Sequence, residues 1–185
     1  MKWNDKGFLI SKSRYNENSV IAEFFTLNYG KVTGIIFGAT SKKIKSYLEI
    51  GNLLHVNYST NSPDRIGSFK VEILKVNTPF FFESKKKLLC IISTLNLIKN
   101  LTVENQSNQD LFSLISDFFE IIRLNNWLQK YILWELNFFK VVGYNLNLND
   151  FVKLEKNNEK KIYFVYSNNH KKIIPNFLIE KNFIE

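Results

Sequence analysis

Cysteine and histidine are scarce in this 185-residue chain, which contains only Cys90, His55 and His170. A single cysteine excludes an intramolecular disulfide and favours a reducing compartment. One cysteine and two histidines also cannot supply ligands at the spacing of a zinc site. The chain has no HExxH, no GxSxG and no tight group of acidic residues that would hold catalytic magnesium. The sequence therefore predicts a protein that is not an enzyme and that uses no metal or cofactor.

Long apolar runs are absent as well. The opening segment MKWNDKGFLI has no apolar region of the signal-peptide type, and no run approaches the roughly 18 apolar residues that span a membrane. Hydrophobic residues nevertheless make up 45% of the chain, with seventeen Phe and eight Tyr, so a packed core is expected. These features predict a soluble cytoplasmic protein of one domain or two small ones.

Positive charge is the main compositional signal. The formal net charge is +8 and the pI is about 9.4, which favours a polyanionic partner or an acidic membrane surface. The alternative is an ordinary solvated surface that happens to be rich in lysine. Residues 1–80 carry eleven basic and six acidic side chains, against fourteen and eleven in the remainder, so the excess is concentrated near the N-terminus.

The first 79 residues have the short, alternating apolar runs of β-strands. Five strands are predicted, at residues 7–11 (GFLIS), 19–25 (SVIAEFF), 31–38 (KVTGIIFG), 51–59 (GNLLHVNYS) and 66–76 (IGSFKVEILKV). The loops RYNEN and NYG have hairpin length, and Pro63 suits a type I turn in SPDR. A meander of three strands followed by a hairpin favours a five-stranded OB-type barrel, with an SH3-like barrel as the alternative.

After residue 79 the apolar spacing becomes helical. Ser84 is a candidate cap for a first helix, and SNQD (107–110) resembles a capping box before a second. A third helix is expected from about Trp127 to Val142, with Gly143 as its stop. The three apolar faces are Leu88, Ile91, Leu95 and Ile98; Leu111, Ile115, Phe118 and Ile122; and Trp127, Tyr131, Trp134, Phe138 and Val141. The aromatic face of the third helix is expected to be core rather than a platform for bases.

The C-terminal part is less regular. KIYFVYSNNHKKII suggests a hairpin that turns at Asn168 and Asn169. The spacing as a whole predicts an α+β protein with a small five-stranded barrel in residues 1–79 and helices after it.

The segment IIFGATSKKIKSYLEIGNLLHV (35–56) joins two predicted strands through three lysines. GATSKK lacks the second glycine of a Walker A loop, no Ser or Thr follows the lysine pair, and a strand rather than a long helix comes next. A bound nucleotide is therefore not expected here.

OB folds commonly bind oligonucleotides on the face of strands two and three and at the loops between strands one and two and between strands four and five. Basic side chains cluster in the loops of the predicted barrel. The candidate DNA-binding residues are Lys12, Arg14, Tyr15, Lys31, Lys42, Lys43, Lys45 and Arg65. Lysines would neutralise backbone phosphates, and Tyr15 or Tyr47 could stack on an unpaired base.

Three ordered segments between residue 7 and about residue 150 resemble the RecO family of bacterial recombination mediators. They are GFLISKSRYNENSVIAEFFTLNYGKVTGIIFGATSKK, then YLEIGNLLHVNYS, which is similar to the family's L.PGNLL strand, and YILWELNFFKVVGYNLNLN, which is similar to its WEL..L..LGY.L.L segment. The resemblance implies an OB-fold DNA-binding domain at residues 1–79 and an all-helical domain at 80–185. It also implies binding of single- and double-stranded DNA, and annealing. It also implies partnership with RecR and with the C-terminal tail of single-stranded DNA-binding protein, for loading of recombinase at the bacterial nucleoid.

Two departures from the family pattern matter. Many members carry four cysteines as a zinc site in the region matching residues 150 to 170, and this chain has none there. The chain also stops sooner than most relatives, so a shortened helical domain, and an altered groove for the tail, are expected. An alternative function is a protein-interaction adaptor that receives an acidic peptide and does not contact DNA directly.

Overall fold

Five strands form the N-terminal half of the protein. In a computed structural model, residues 1–62 and 65–144 and two short strands near the C-terminus are described. The five strands are β1 (Lys2–Arg14), β2 (Ser19–Thr26), β3 (Gly30–Phe37), β4 (Leu53–Ser59) and β5 (Gly67–Lys75). All five predicted strands are therefore present. The turn predicted at Pro63 lies outside the described residues.

The strands close into a barrel in the order β1-β2-β3-β5-β4. Neighbours are antiparallel except for β3 and β5, whose parallel pairing of Gly34–Ile36 with Gly67–Phe69 completes the ring. This is the strand count and order expected of an OB barrel, and it is followed by helices, so the predicted fold class is confirmed. The four-residue helix α1 (Lys42–Lys45) lies between β3 and β4, where the sequence suggested only a loop.

Strand β1 is much longer than the predicted 7–11 because it serves two neighbours. Its first half, Lys2 to Phe8, pairs with β4, and its second half, Gly7 to Arg14, pairs with β2. The register shifts between Leu9 and Ser11, and such a bulge bends a strand so that it can pass from one partner to the next.

The barrel interior is filled by side chains that alternate along the strands. The buried set is Leu9, Ala22, Phe24, Val32, Ile36, Leu54, Val56, Phe69 and Val71, together with Ala39 and Leu48 from the connector between β3 and β4. The outer face of β1 is covered too, since the Phe8 ring lies 5.1 Å from that of Phe112. Apolar side chains on both faces of β1 thus stabilise the barrel.

A buried polar junction fixes the chain as it leaves the barrel. Asn52 is fully buried; its side-chain oxygen accepts from the backbone N–H of Asn77 at 2.8 Å, and its amide donates to the carbonyl of Tyr47 at 2.9 Å. Asn77 also donates to the Gly51 carbonyl at 2.9 Å. Because buried polar groups are costly when unpaired, this junction fixes the segment that begins the one-turn 3-10 helix Thr78–Phe81.

Three longer helices follow, as predicted: α2 (Lys85–Leu101), α3 (Gln109–Ile121) and α4 (Trp127–Val141). Their starts differ in detail from the expectation. Ser84 occupies the N-cap position of α2, but its side chain makes no capping hydrogen bond. Asn108, not Ser107, caps α3 by accepting from the N–H of Leu111 at 2.8 Å, because the cap must stand directly before the first helical residue.

The described chain separates into two compact units, with the division between Ile115 and Ser116. The predicted domain boundary at residue 79 stays a prediction. In the second unit Tyr131, Trp134 and Phe138 of α4 are buried, and the Trp134 ring packs 5.1 Å from Phe118. The aromatic stripe is therefore core, as predicted, although Trp127 and Val141 at its ends are only half-buried.

Two short strands, β6 (Val152–Leu154) and β7 (Ile162–Phe164), pair antiparallel. Strand β7 falls in the first arm of the predicted hairpin, but β6 was not predicted. The proposed turn at Asn168 and Asn169 lies outside the described residues. A search of the described helices finds none that is long and apolar enough to cross a membrane.

Glu135 of α4 is a buried carboxyl whose titration can be tested. Burial raises the pKa of Glu135 to about 7, while the hydrogen bond from the Tyr131 hydroxyl at 3.0 Å acts in the opposite direction. A glutamate in the unfolded chain titrates near pH ~4.3. Since the folded state holds the proton more tightly, the stabilisation is complete below that pH and is lost as the pH rises through about 7.

We expect the free energy of unfolding to fall by roughly 2–3 kcal/mol more in the wild type than in Glu135→Gln between about pH 5 and pH 8. Urea titrations followed by tryptophan fluorescence measure this difference. Asp117→Asn, which changes an exposed carboxylate, should leave the wild-type dependence intact. Equal pH dependence in Glu135→Gln and the wild type would contradict the assignment.

Candidate nucleic-acid interface

The connector between β3 and β4 presents three lysines because α1 has one apolar residue and that residue faces the barrel. Ile44 packs against the barrel core, so the rest of the one-turn helix α1 faces outward and Lys42, Lys43 and Lys45 are exposed. Ser41 caps the turn by accepting from the N–H of Ile44 at 3.4 Å. Packing against the barrel therefore explains Ile44 but not the three lysines, which are exposed to solvent.

The β1–β2 loop lies beside the start of this connector. The N–H of Ala39 donates to the carbonyl of Asn18 at 3.0 Å, and the Thr40 hydroxyl bonds to the Asn18 side chain. Arg14 and Tyr15 begin the same loop, and Tyr15 is 55% exposed. The structure therefore brings two of the predicted loop residues to the end of the barrel that carries α1.

Phe37 is a neighbour that the sequence reasoning missed. It pairs with Ser19 in the β2–β3 ladder, and Ser19 in turn accepts from the N–H of Tyr15 at 3.0 Å. Although it ends an apolar run, Phe37 is 61% exposed. The signal was present in the alternation, because period two places Phe37 on the same face as Lys31 and Thr33.

We call the surface made by these six side chains the basic end; it consists of Arg14, Tyr15, Phe37, Lys42, Lys43 and Lys45. Across the residues that the structure describes, no carboxylate pairs with the three lysines of α1. Arg14 makes one long hydrogen bond, from Nε to the Asn16 carbonyl at 3.4 Å. Uncompensated cations beside exposed aromatic rings can bind phosphates and stack on unpaired bases.

Lys12 borders the basic end but is neutralised. Its ammonium lies 2.9 Å from the carboxylate of Glu49 and also donates to the Leu48 carbonyl. These bonds tie β1 to the far end of the connector, so Lys12 contributes less free charge than its place in the sequence suggests.

Lys31 lies against α2 and not at the basic end. Its ammonium donates to the Lys99 carbonyl at 2.8 Å near the C-terminus of that helix. In return, the Lys99 ammonium contacts the Glu23 carboxylate at 2.6 Å and the Ser11 hydroxyl at 3.1 Å. Part of the β2–β3 face, where the OB pattern suggested a ligand, is thus occupied by the protein's own helix.

The segment after α2 covers more of the same face of the barrel. Glu104 accepts from the Thr33 hydroxyl at 3.2 Å, and the N–H of Asn105 donates to the Lys31 carbonyl at 2.9 Å. At Gly30 an added Cβ would lie 1.8 Å from the Gln106 carbonyl oxygen, so only glycine permits the contact.

Arg65 is exposed in the β4–β5 loop. Met1 donates to the Thr60 carbonyl at 2.7 Å, which places that loop at the start of β1, whereas Arg14 stands at its end. The structure does not bring Arg65 together with the basic end.

Tyr47, the other aromatic that the sequence offered for stacking, is held within the fold. The hydroxyl of Tyr47 donates to the Val71 carbonyl at 3.1 Å, and desolvation, with a smaller effect of the nearby Glu72 carboxylate, raises the pKa of Tyr47. Tyr47 packs against the core, so it is not a stacking platform as the sequence allowed. His55 is a half-buried residue of β4, and His170 lies outside the described residues.

The Walker comparison fails in the structure as it does in the sequence. Gly38 adopts a φ of 68°, but the following helix has only four residues. Among the described side chains no group of three or more His, Cys, Asp or Glu could hold a metal ion.

Two family models match the chain, one over the barrel and one over the segment that follows it. Residues 1–76 match the family described as Recombination protein O N terminal, and residues 83–178 match Recombination protein O C terminal. The chain is 29% identical over 150 residues to the DNA repair protein RecO of Wolbachia sp. subsp. Drosophila simulans (strain wRi), covering 80% of this chain and 62% of that protein. It is 31% identical over 148 residues to the DNA repair protein RecO of Rickettsia canadensis (strain McKiel), covering 80% of this chain and 61% of the relative.

The chain spans about three-fifths of the length of these curated relatives. The two family matches together extend over most of the sequence, in the order of the barrel and the helices. The chain therefore belongs to the RecO family of DNA repair proteins.

Proposed function

We propose that this protein binds single- and double-stranded DNA through the basic end and promotes annealing of complementary strands. One observation carries the proposal: the three lysines of α1 are exposed and, in the described ranges, have no carboxylate partner. They lie on the connector that is hydrogen-bonded to the loop of Arg14 and Tyr15. Fixed positive charge of this kind binds backbone phosphates without reading sequence.

The annealing mechanism rests on charge. Two DNA strands repel one another, and a cationic surface that neutralises phosphates on both reduces that repulsion. Complementary bases can then meet, and base pairing supplies the free energy. No bond is made or broken, so the proposed activity is not enzymatic and needs no cofactor.

The partners are proposed from family membership. We propose that the chain acts with RecR and with the C-terminal tail of single-stranded DNA-binding protein to load recombinase on coated strands, in the bacterial cytoplasm at the nucleoid. The helices after the barrel would provide the partner contacts. An adaptor that never touches DNA is the alternative, and the experiments below separate the two.

The contribution of the α1 lysines to DNA binding is measured by the salt dependence of the affinity. For single strands the log–log slope of affinity against salt is roughly −0.7 per phosphate contacted. Replacing Lys42, Lys43 and Lys45 by Ala should flatten the slope by about two, because three contacts are lost. Fluorescence anisotropy with a labelled oligonucleotide at several salt concentrations measures it.

The matched control is the triple change of Lys70, Lys130 and Lys140 to Ala, which removes the same charge from exposed positions elsewhere. It should leave the slope close to that of the wild type. Equal slopes for the two triple variants would move the DNA site away from α1, and no affinity of the wild type for DNA in low salt would favour the adaptor.

The aromatic contribution should distinguish single strands from duplex. Tyr15→Ala and Phe37→Ala should each weaken single-strand binding by about 1–3 kcal/mol, because an unpaired base loses a stacking partner. Duplex affinity should change little, since paired bases are already stacked. Tyr15→Phe retains the ring and should bind like the wild type; equal losses for single strand and duplex would show that the rings do not stack on bases.

A further inference from the structure

We propose that Phe80, Phe82 and the lysines that follow them form a second contact for single-stranded nucleic acid, which we call the Phe–Lys surface. It consists of Phe80, Phe82, Lys85, Lys86 and Lys87. This inference rests on the proposed function only in its substrate class, since the residues are separate from those of the basic end.

Three consecutive phenylalanines begin this surface, and only the middle one is buried. Phe81 is 6% exposed, and the Lys87 ammonium stands 5.5 Å from the centre of its ring. Phe80 and Phe82, on either side, are 67% and 56% exposed. Burial of the middle ring thus holds the two outer rings toward solvent.

The rings are carried by a fixed segment. Thr78, at the start of the 3-10 helix, is buried, and its hydroxyl donates to the Ile50 carbonyl. The preceding Asn77 is bonded to Asn52 and Gly51. Exposed aromatics on a rigid turn lose little freedom on binding, which favours a stacking contact.

The lysines beside the rings work against the stability of their own helix. Lys85, Lys86 and Lys87 form the first turn of α2, which contains no acidic residue. Cations at this end are unfavourable to a helix. Helix stability therefore does not explain Lys85, whereas a polyanionic partner would.

Single-stranded nucleic acid fits this surface better than an acidic peptide does. Two rings that protrude on either side of a buried one present faces, and every base has a face on which a ring can stack. An apolar peptide side chain would need a concave pocket to bury its surface. Lys87 stands over the Phe81 ring between the two exposed ones, and Lys85 follows Phe82 by three residues, so cations for the phosphates that accompany stacked bases belong to the same short segment.

The connector leads from the basic end to this surface. Lys45 ends α1, and six residues later Gly51 accepts from the Asn77 side chain. The chain therefore links the lysines of α1 to the segment that carries the two phenylalanines. Binding at each surface can be tested separately.

The test uses the full chain and a fluorescent deoxythymidine oligonucleotide. Phe80→Ala combined with Phe82→Ala should weaken single-strand affinity roughly tenfold or more, with little change for duplex. Ile92→Ala, which removes another exposed apolar side chain from α2, should bind like the wild type. Unchanged single-strand affinity in the double phenylalanine variant would overturn the proposal.

A lysine variant separates binding from folding. Lys85→Gln should flatten the single-strand salt slope by about 0.7 while leaving the melting temperature equal or higher, because a charge unfavourable to the helix is removed. A melting temperature that falls together with binding would indicate a structural role and overturn the assignment.

Crosslinking separates this inference from the proposed function. An oligonucleotide with 5-iodouracil should crosslink to Phe80 or Phe82 in the wild type and, in low salt, in the variant lacking Lys42, Lys43 and Lys45. Crosslinks confined to Tyr15 and Phe37 would leave the proposed function standing and reject the Phe–Lys surface. Binding of an acidic peptide that the phenylalanine changes abolish, with oligonucleotide binding unaffected, would also reject it.

Discussion

The bonds that Lys31 and Lys99 make between the barrel and helix α2 determine which surface of the barrel is open to a ligand. The Lys31 ammonium binds the carbonyl of Lys99, and the Lys99 ammonium binds Glu23. Helix α2 is thereby fixed across β1, β2 and β3, on part of the face where OB barrels commonly receive oligonucleotides. These two cations are engaged within the protein, whereas Arg14 and the three lysines of α1 have no carboxylate partner among the described residues.

The connector shows how so short a segment can be fixed to the barrel and still present charge to solvent. Ile44 and the buried Ala39 and Leu48 fix the connector to the barrel. The backbone that carries the three lysines is therefore held in place, although each lysine side chain is exposed. A nucleotide-binding loop would need a longer helix behind its glycine turn. Charge presented on one rigid turn suits a DNA backbone, whose phosphates are spaced along an extended chain.

Local periodicity was enough to predict the five strands and the three longer helices, because alternation and helical spacing are properties of neighbouring residues. The limits of β1 were not predictable in this way, since its length depends on pairing with both β2 and β4. The partners of Lys12 and Lys31 lie 37 and 68 residues away, so no local pattern reveals that these cations are engaged. The exposure of Phe37 could have been predicted, because the alternation places it on the same face as Lys31 and Thr33. Its apolar neighbours in the sequence favoured burial instead.

The central claim is that DNA contacts the lysines of α1 and not the exposed Lys70 and Lys130. Lysine footprinting by reductive methylation and mass spectrometry, with and without a saturating single-stranded oligonucleotide in low salt, tests it most directly. The account predicts that Lys42, Lys43 and Lys45 are methylated readily in the free protein and protected when DNA is bound, while Lys70 and Lys130 react equally in both. Unchanged reactivity of the three α1 lysines on binding, or protection of Lys70 and Lys130 instead, would contradict it.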